Sequence, residues 1–510
     1  MSQRHSQPVR GSQSVPRSLL FEGRFGRLFR SLPEAKFGKT EKENVDNLTT
    51  LATKMSAQFD PPTDGKDPEE SGIPALYTYL GQFVDHDITF DPASSLQKQD
   101  DPDALTDFRT AALDLDNIYG RGPDDQPYMY NEDGKTFLLG SKLTGGDPKA
   151  TDLPRNSAER ARALIGDPRN DENTIVSQLQ GLFHRFHNRT VADNPTLPFQ
   201  DIQKLVRFHY QYMLVNDFLV RIINAAVLED LKEKGVYEKK KLKFFHWKNS
   251  PFMPVEFSVA AYRLGHSMVR PGYRLNDDDS TLLPIFLTDE AKKNKPPFDD
   301  DLQGFRAVGG GRGIDWGRFI DVDTRVYDGS KAENKRRLQF AYRIDTSVVF
   351  ALSQLPAAVA SNPSSLPLRN LVRGWRLGLP SGQHVAHAMG VKPLADKDIL
   401  IGKGVDKQDP SDPQVISIDK VAPVFKDNCP LWTYILAEAM HHKEKVHVPV
   451  KEKITITTPQ LGPVGGRIAA EVFLGLLFGD NHSLLSLQPE WTPEKTPYTL
   501  KDFVNYALGK

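Results

Sequence analysis

The sequence predicts a mainly α-helical protein, one large domain with little β structure. Apolar residues recur at helical spacing in several long windows, strand-like stretches are few and short, and no internal repeat divides the chain. At 510 residues the chain can bury a large core. Length alone would allow about three domains of roughly 150 residues, but the pattern does not divide that way. The reading is therefore a disordered tail at 1–18, polar and rich in Gln, Ser, Arg and Pro, and a domain over 19–510.

The 65 basic and 66 acidic residues leave a net charge of −1, which favours neither nucleic acid nor an anionic membrane. The single cysteine, Cys429, excludes an intramolecular disulfide and a cysteine-based metal site. With no apolar signal region at the N-terminus and no run near ~18 apolar residues, the expected location is the cytoplasm, with signal-independent export as the alternative.

From the N-terminus, Gly23 to Phe29 reads as an arm that packs on the core. Residues 60–72 form a loop leading to a helix that Pro74 opens, with Leu76, Leu80 and Phe83 on its apolar face. That helix ends in Gly81-Gln82-Phe83-Val84-Asp85-His86-Asp87. Helical spacing stacks Gln82 under His86, sets Asp85 beside them and turns Asp87 to another side. Taken alone, this is an amphipathic helix with a polar end and one satisfied histidine.

Loops are expected at 91–103 and 120–134. Between them, alternate residues Thr110, Ala112, Asp114 and Asp116 share one side if the segment is extended. Carboxylates, a hydroxyl and a backbone carbonyl suit a hard cation such as Ca²⁺, with Asp87 as a further oxygen donor; a surface turn with two acids is the simpler alternative.

A long helix is expected at about 171–192, capped by Asn170 or Asp171, with Arg169 and Glu172 at its start. Glu172 complements the helix dipole, whereas the charge of Arg169 is misplaced unless an anionic group lies nearby. Further helices are expected from about Ile202 to Leu231, from Pro254 through His266, and at about 333–356, 364–374, 430–443 and 464–478. Within the second of these, Arg263-Leu264-Gly265-His266 places a glycine before a histidine, which costs about 1 kcal/mol in mid-helix unless a bulky group must approach. Asn370 and Arg373 lie on one helix face downstream. Ile454 to Thr457 reads as a strand.

In this order, Gly81–Asp87, Thr110–Asp116, Gly166–Asn173, Arg263–His266 and Asn370–Arg373 resemble the animal-type haem peroxidases of the peroxidase–cyclooxygenase superfamily. The resemblance covers about residues 75–380, with a family-like Gly462-Pro463-Val464-Gly465-Gly466-Arg467 beyond. It implies a haem-peroxidase-like helical fold and haem b as cofactor. It assigns His86 as distal base, Arg169 as its partner and Gln82 as the residue holding distal water or halide. It assigns His266 as iron ligand, Asn370 as its partner, and Arg263 and Arg373 as propionate neighbours. Asp85 and Glu172 match acids that form ester links to haem. Asp87, Thr110, Ala112, Asp114 and Asp116 match calcium ligands.

The implied activity is oxidation of a small reductant (halide, thiocyanate, phenol or aromatic amine) by hydrogen peroxide, consistent with a response to oxidative stress. Asn173 stands where one branch has a haem-bonded Met, so no sulfonium link can form and weaker chloride oxidation is expected. The lack of disulfides suggests a bacterial relative. The alternatives are a haem-dependent fatty-acid dioxygenase, a non-enzymatic binding or adhesion protein that kept the fold and, more weakly, a generic calcium-binding helical protein. Against the first, Arg263 stands three positions before His266, where the dioxygenases carry a tyrosine, and Tyr262 is out of register.

Overall fold

The computed structural model describes residues 25–89, 109–159, 161–288, 300–356, 359–360, 362–406 and 415–510. The expected tail at 1–18, the loop at 91–103 and the first residues of the N-terminal arm lie outside them. The architecture is helical, with small two-stranded sheets among the described residues. The domain limit at residue 19 is likewise outside the described range.

Helix Leu76–Ile88 lies at the centre. Its start differs from the sequence expectation, because Pro74 ends a strand, Glu70–Pro74, that pairs with Phe340–Tyr342. The first helical N–H groups are satisfied from outside the helix: Ala75 donates to Gln339 O and Leu76 to Phe319 O. Leu76, Leu80, Phe83 and Val84 are fully buried, each worth roughly 1.5–3 kcal/mol of apolar burial. Phe83 stacks on Phe183 with centroids 4.3 Å apart, joining this helix to Thr174–Asp193.

Helix Thr174–Asp193 begins after the expected cap. Asn173 accepts from the N–H groups of Ile175 and Val176, and Pro168–Asp171 forms a separate 3₁₀ turn. Phe186 of this helix stacks on Phe503 of the C-terminal helix Leu500–Leu508 at 4.2 Å.

The helix expected from Ile202 to Leu231 is broken. It runs as Phe199–Met213, a π segment Leu214–Phe218, Leu219–Ile222 and Ala225–Asp230. The helix expected from Pro254 through His266 is also broken, into Val255–Ser258, a 3₁₀ turn Ala261–Leu264 and Gly265–Met268. The Arg263 side chain takes the Ser258 carbonyl at 2.8 Å, and Phe257 stacks on Tyr262 at 4.9 Å, so side-chain contacts replace the helical ladder. Most of 333–356 is not helical either, because pairing with Glu70–Pro74 claims Phe340–Tyr342.

The expected arm is present. Phe25–Gly26 pairs in parallel with Met253–Pro254, and the Leu28 and Phe29 N–H groups donate to buried Glu256. Helices Leu366–Arg376, Leu431–Ala439 and Pro463–Gly479 match expectation within a few residues. The last is buried almost all round, and a Cβ on Gly465 would fall 2.4 Å from Ile435, so glycine is required for this approach. The strand expected at 454–457 is Thr455–Pro459, paired with Lys443–His447. Among the described residues no helix is long and apolar enough to cross a membrane.

Candidate haem cavity and buried acidic cluster

One cavity of about 540 Å³ is lined by Gln82, Asp85, His86, Arg169, Glu172, Arg263, His266, Asn370 and Arg373. All nine residues assigned to the haem by resemblance thus meet at one space, although they come from segments nearly 300 residues apart. Its volume suits a cofactor-sized ligand. Gly265 also borders it, at the junction of two short helical turns rather than in mid-helix, and a Cβ there would meet no atom within 4 Å. The glycine leaves room on the cavity side, as its position before His266 suggested.

The two histidines are held alike. His86 Nδ1 lies 2.7 Å from Asn170 Oδ1, and His266 Nδ1 lies 2.7 Å from the Asn370 amide nitrogen. A side-chain amide can turn either its oxygen or its nitrogen to an imidazole, and with oxygen turned inward Nδ1–H donates. In both residues Nε2 is then the ring nitrogen left for the cavity. Burial, reinforced by Arg169, pushes the His86 pKa down to about 4. Burial, reinforced by Arg263, pushes that of His266 down to about 3. Both rings are therefore neutral near pH 7.

Acids and arginines interlock around them. Arg169 is gripped by Asp167 at 2.8 Å and donates to the carbonyls of Thr89 at 2.6 Å and His86 at 3.2 Å. The charge anomaly noted in the sequence has its answer in Asp167. Burial would raise the pKa of Asp85, but Arg263, 3.4 Å away, then His86 and Arg169, hold it below the usual carboxylate range. Burial pushes the pKa of Glu172 up to about 7. Gln82 donates to Glu172 and accepts from Asn173 at 3.1 Å, so both ends of its amide have protein partners.

Asp87 turns away from the cavity, as helical spacing required. It joins Asp114 and Asp116 in a buried group whose oxygens lie within 4.8 Å of one another. The segment 110–116 is bent rather than extended, with Leu115 left-handed at φ 62° between the two acids. Such a conformation costs about 1–3 kcal/mol in a non-glycine residue, and here it turns Asp114 and Asp116 inward together.

Thr110 Oγ1 donates to Asp114 at 2.8 Å, and Ala112 is buried beside them. Asp87 Oδ1 is buried without a hydrogen-bond partner. Burial, then Asp114 and Asp116, drives the Asp87 pKa well up, and burial raises that of Asp116 to about 7 despite Arg109 at 3.0 Å. This donor set fits a hard cation, which would relieve the repulsion and supply the missing partner.

Sequence reasoning missed Asn170, Asp167 and Arg109. The first two lie inside the segment 166–173 already singled out, and Arg109 directly precedes the acidic segment. Arg109 joins Asp116 to Asp167 and so links the acidic cluster to Arg169. His184, His187 and His209 fit structural roles. His184 stacks on Phe137 at 4.4 Å, His187 bonds Tyr119 and Lys135, and His209 bonds the Leu205 carbonyl.

A sequence profile described as animal haem peroxidase matches residues 95–305. Chorion peroxidase of Drosophila melanogaster is 28% identical over 191 residues, covering 34% of this chain and 22% of that protein. Thyroid peroxidase of Canis lupus familiaris is 24% identical over 212 residues, covering 37% and 21%. The match thus spans about a fifth of the length of these relatives.

Among solved structures, peroxidase A of Dictyostelium discoideum aligns with a TM-score of 0.59 at 16% identity, over 92% of this chain and 89% of that one. A fatty acid alpha-dioxygenase of Oryza sativa aligns with a TM-score of 0.50 at 15% identity, over 97% and 82%. At these identities the structural likeness concerns the fold. Residues 95–305 are thus similar to the animal haem peroxidase profile and the curated peroxidases, and the chain shares its fold with a solved peroxidase.

Proposed function

We propose that this protein is a haem peroxidase that uses hydrogen peroxide to oxidise small reductants. The observation that carries the reading is a cavity lined by two histidines, each held at Nδ1 by an asparagine. His266 would bind the iron of haem b through Nε2. Asn370, a neutral partner, leaves that imidazole less anionic than a carboxylate would. Arg263 and Arg373 would face the propionates, and Asp85 and Glu172 would be the acids that form ester links. The haem supplies the redox chemistry by which peroxide is reduced and a donor oxidised.

The chain's own task is proton and charge handling. His86, neutral near pH 7, takes a proton from the bound peroxide at Nε2 and returns it to the departing oxygen. Such transfer contributes about 10²–10⁴-fold. Arg169 holds the carbonyls of His86 and Thr89 and brings positive charge to the same wall, where negative charge develops. Gln82, tied to Glu172 and Asn173, would present a fixed amide edge to distal water or halide. Calcium would bind Asp87, Thr110, the Ala112 carbonyl, Asp114 and Asp116, and fix the helix that carries His86.

The dioxygenase alternative is weaker. Arg263 stands in the tyrosine's place and bonds Asp85, while the Tyr262 hydroxyl is committed to the Gly81 carbonyl at 3.1 Å.

The test is an absorption spectrum of protein expressed with added haem, before and after one equivalent of hydrogen peroxide. A haem Soret band that shifts on oxidation is expected, and haem retained in the acid–acetone pellet would report ester links. Protein that binds no haem would overturn the reading. With Asn173 serving as helix cap in place of a haem-bonded Met, slow chloride oxidation at neutral pH is expected.

A further inference from the structure

We propose that Tyr77 is a one-electron relay between the cavity and the protein surface, through which donors too large to enter the cavity are oxidised. This rests on the haem reading above. Three tyrosines line the cavity: Tyr77, Tyr79 and Tyr262. Oxidising a phenol strips it of its proton, so a buried tyrosine can act only where a base receives that proton. Tyr262 donates to the Gly81 carbonyl, which is too weak a base. Tyr79 packs edge-on against Tyr273, and no carboxylate bonds its hydroxyl among the described residues. Tyr77 donates to Asp217 Oδ2 at 2.5 Å.

The surroundings lead outward. Asp217 lies in the π segment Leu214–Phe218, where the irregular turn interrupts an otherwise continuous helix. Its other oxygen accepts from Arg221 Nε at 2.7 Å. The Arg221 guanidinium covers the Tyr77 ring at 4.5 Å from its centroid, and its side chain is 32% exposed. Phenol, proton acceptor and cation thus run without a gap from the cavity wall to solvent.

In the relay step, the Tyr77 ring would give up one electron to a haem held in the cavity, with hydrogen peroxide as the oxidant. The phenolic O–H bond breaks, its proton goes to Asp217 Oδ2, and a neutral phenoxyl radical remains. A phenolic or aromatic-amine donor at the surface returns one electron, becomes oxidised, and releases its own proton to solvent. Asp217 then gives its proton back to the Tyr77 oxygen.

The experiment uses the full haem-loaded chain, mixed with hydrogen peroxide, freeze-quenched and read by electron paramagnetic resonance. Turnover of a small phenol and of a polymer-attached phenol is measured in parallel. Wild type should give a radical signal that narrows when its tyrosines are ring-deuterated. Tyr77→Phe, with the Soret band retained, should lose that signal. Asp217→Asn keeps the phenol but removes the base, and should lower the polymer-to-small-donor turnover ratio by about tenfold or more.

A wild-type protein that binds haem and reacts with peroxide but shows no tyrosine signal would overturn the relay alone. So would a Tyr77→Phe protein that keeps both signal and ratio. A chain that binds no haem would overturn the function reading and the relay together.

Discussion

The two cavity histidines are each held at Nδ1 by an asparagine, but the backbone that carries them differs. His86 sits on the continuous helix Leu76–Ile88, flanked by acids and by the Arg169–Asp167 pair. His266 sits at a seam between a 3₁₀ turn and a four-residue helix, where Arg263 spends its side chain on Ser258 and Asp85. A helix gives the first ring a fixed direction and an adjoining residue, Asp87, that reaches a second site. The seam gives the second ring room, through Gly265, for a bulky group to approach. On the proposed reading the first construction serves proton handling and the second ligation.

Breaking the two sides separately should give different losses. His266→Ala should lose haem, seen as a missing Soret band, with partial recovery on added imidazole. His86→Ala should keep the Soret band and slow the reaction with peroxide by about 10²–10⁴-fold in stopped-flow absorbance. Equal haem loss in both variants would mean that the roles are not divided in this way.

The link from His86 to the acidic cluster should be visible without haem. Removing bound calcium from the chain with a chelator should lower its thermal midpoint. The stability lost would be about 2.7 kcal/mol if free calcium had stood at 100 times its dissociation constant. Asp114→Asn should abolish the calcium dependence of that midpoint, whereas Asn370→Ala, on the His266 side, should leave it in place.

The smallest effects separate site histidines from structural ones. Burial lowers the pKa of His184 to about 3 and of His187 to about 4, although neither lines the cavity. The unfolded chain, with histidine near 6.5, binds more protons than the folded chain between that value and the folded pKa. Stability should therefore fall as pH drops from about 6.5 toward 4. Replacing His187 with Gln should flatten the acid limb in urea titrations at successive pH values, while haem content stays unchanged.

The His86 side of the cavity was far more legible in sequence than the His266 side, and the reason is local. Gln82, Asp85, His86 and Asp87 lie within six residues on one helix, so period alone sets which face each takes. His266 and Asn370 lie 104 residues apart, and the helix expected around His266 proved to be two short turns. Helical periodicity could not foresee that the Arg263 side chain would take a backbone carbonyl. The segment 110–116 shows the same limit. Its donors are readable, but the left-handed Leu115 that turns them inward is imposed by packing.

The sequence by itself determined the helical class and the central helix, because these follow from composition and local spacing, whereas the character of the two sites came only as what the family resemblance implied. The tertiary structure decided which residues complete them. Asn170 was placed against His86, Arg109 and Asp167 were joined between the acids and Arg169, and Asp217 was brought to Tyr77 from 140 residues away. Those pairings arise because buried polar groups must find partners wherever the fold brings chain segments together, and the periodicity of no single segment encodes which ones meet.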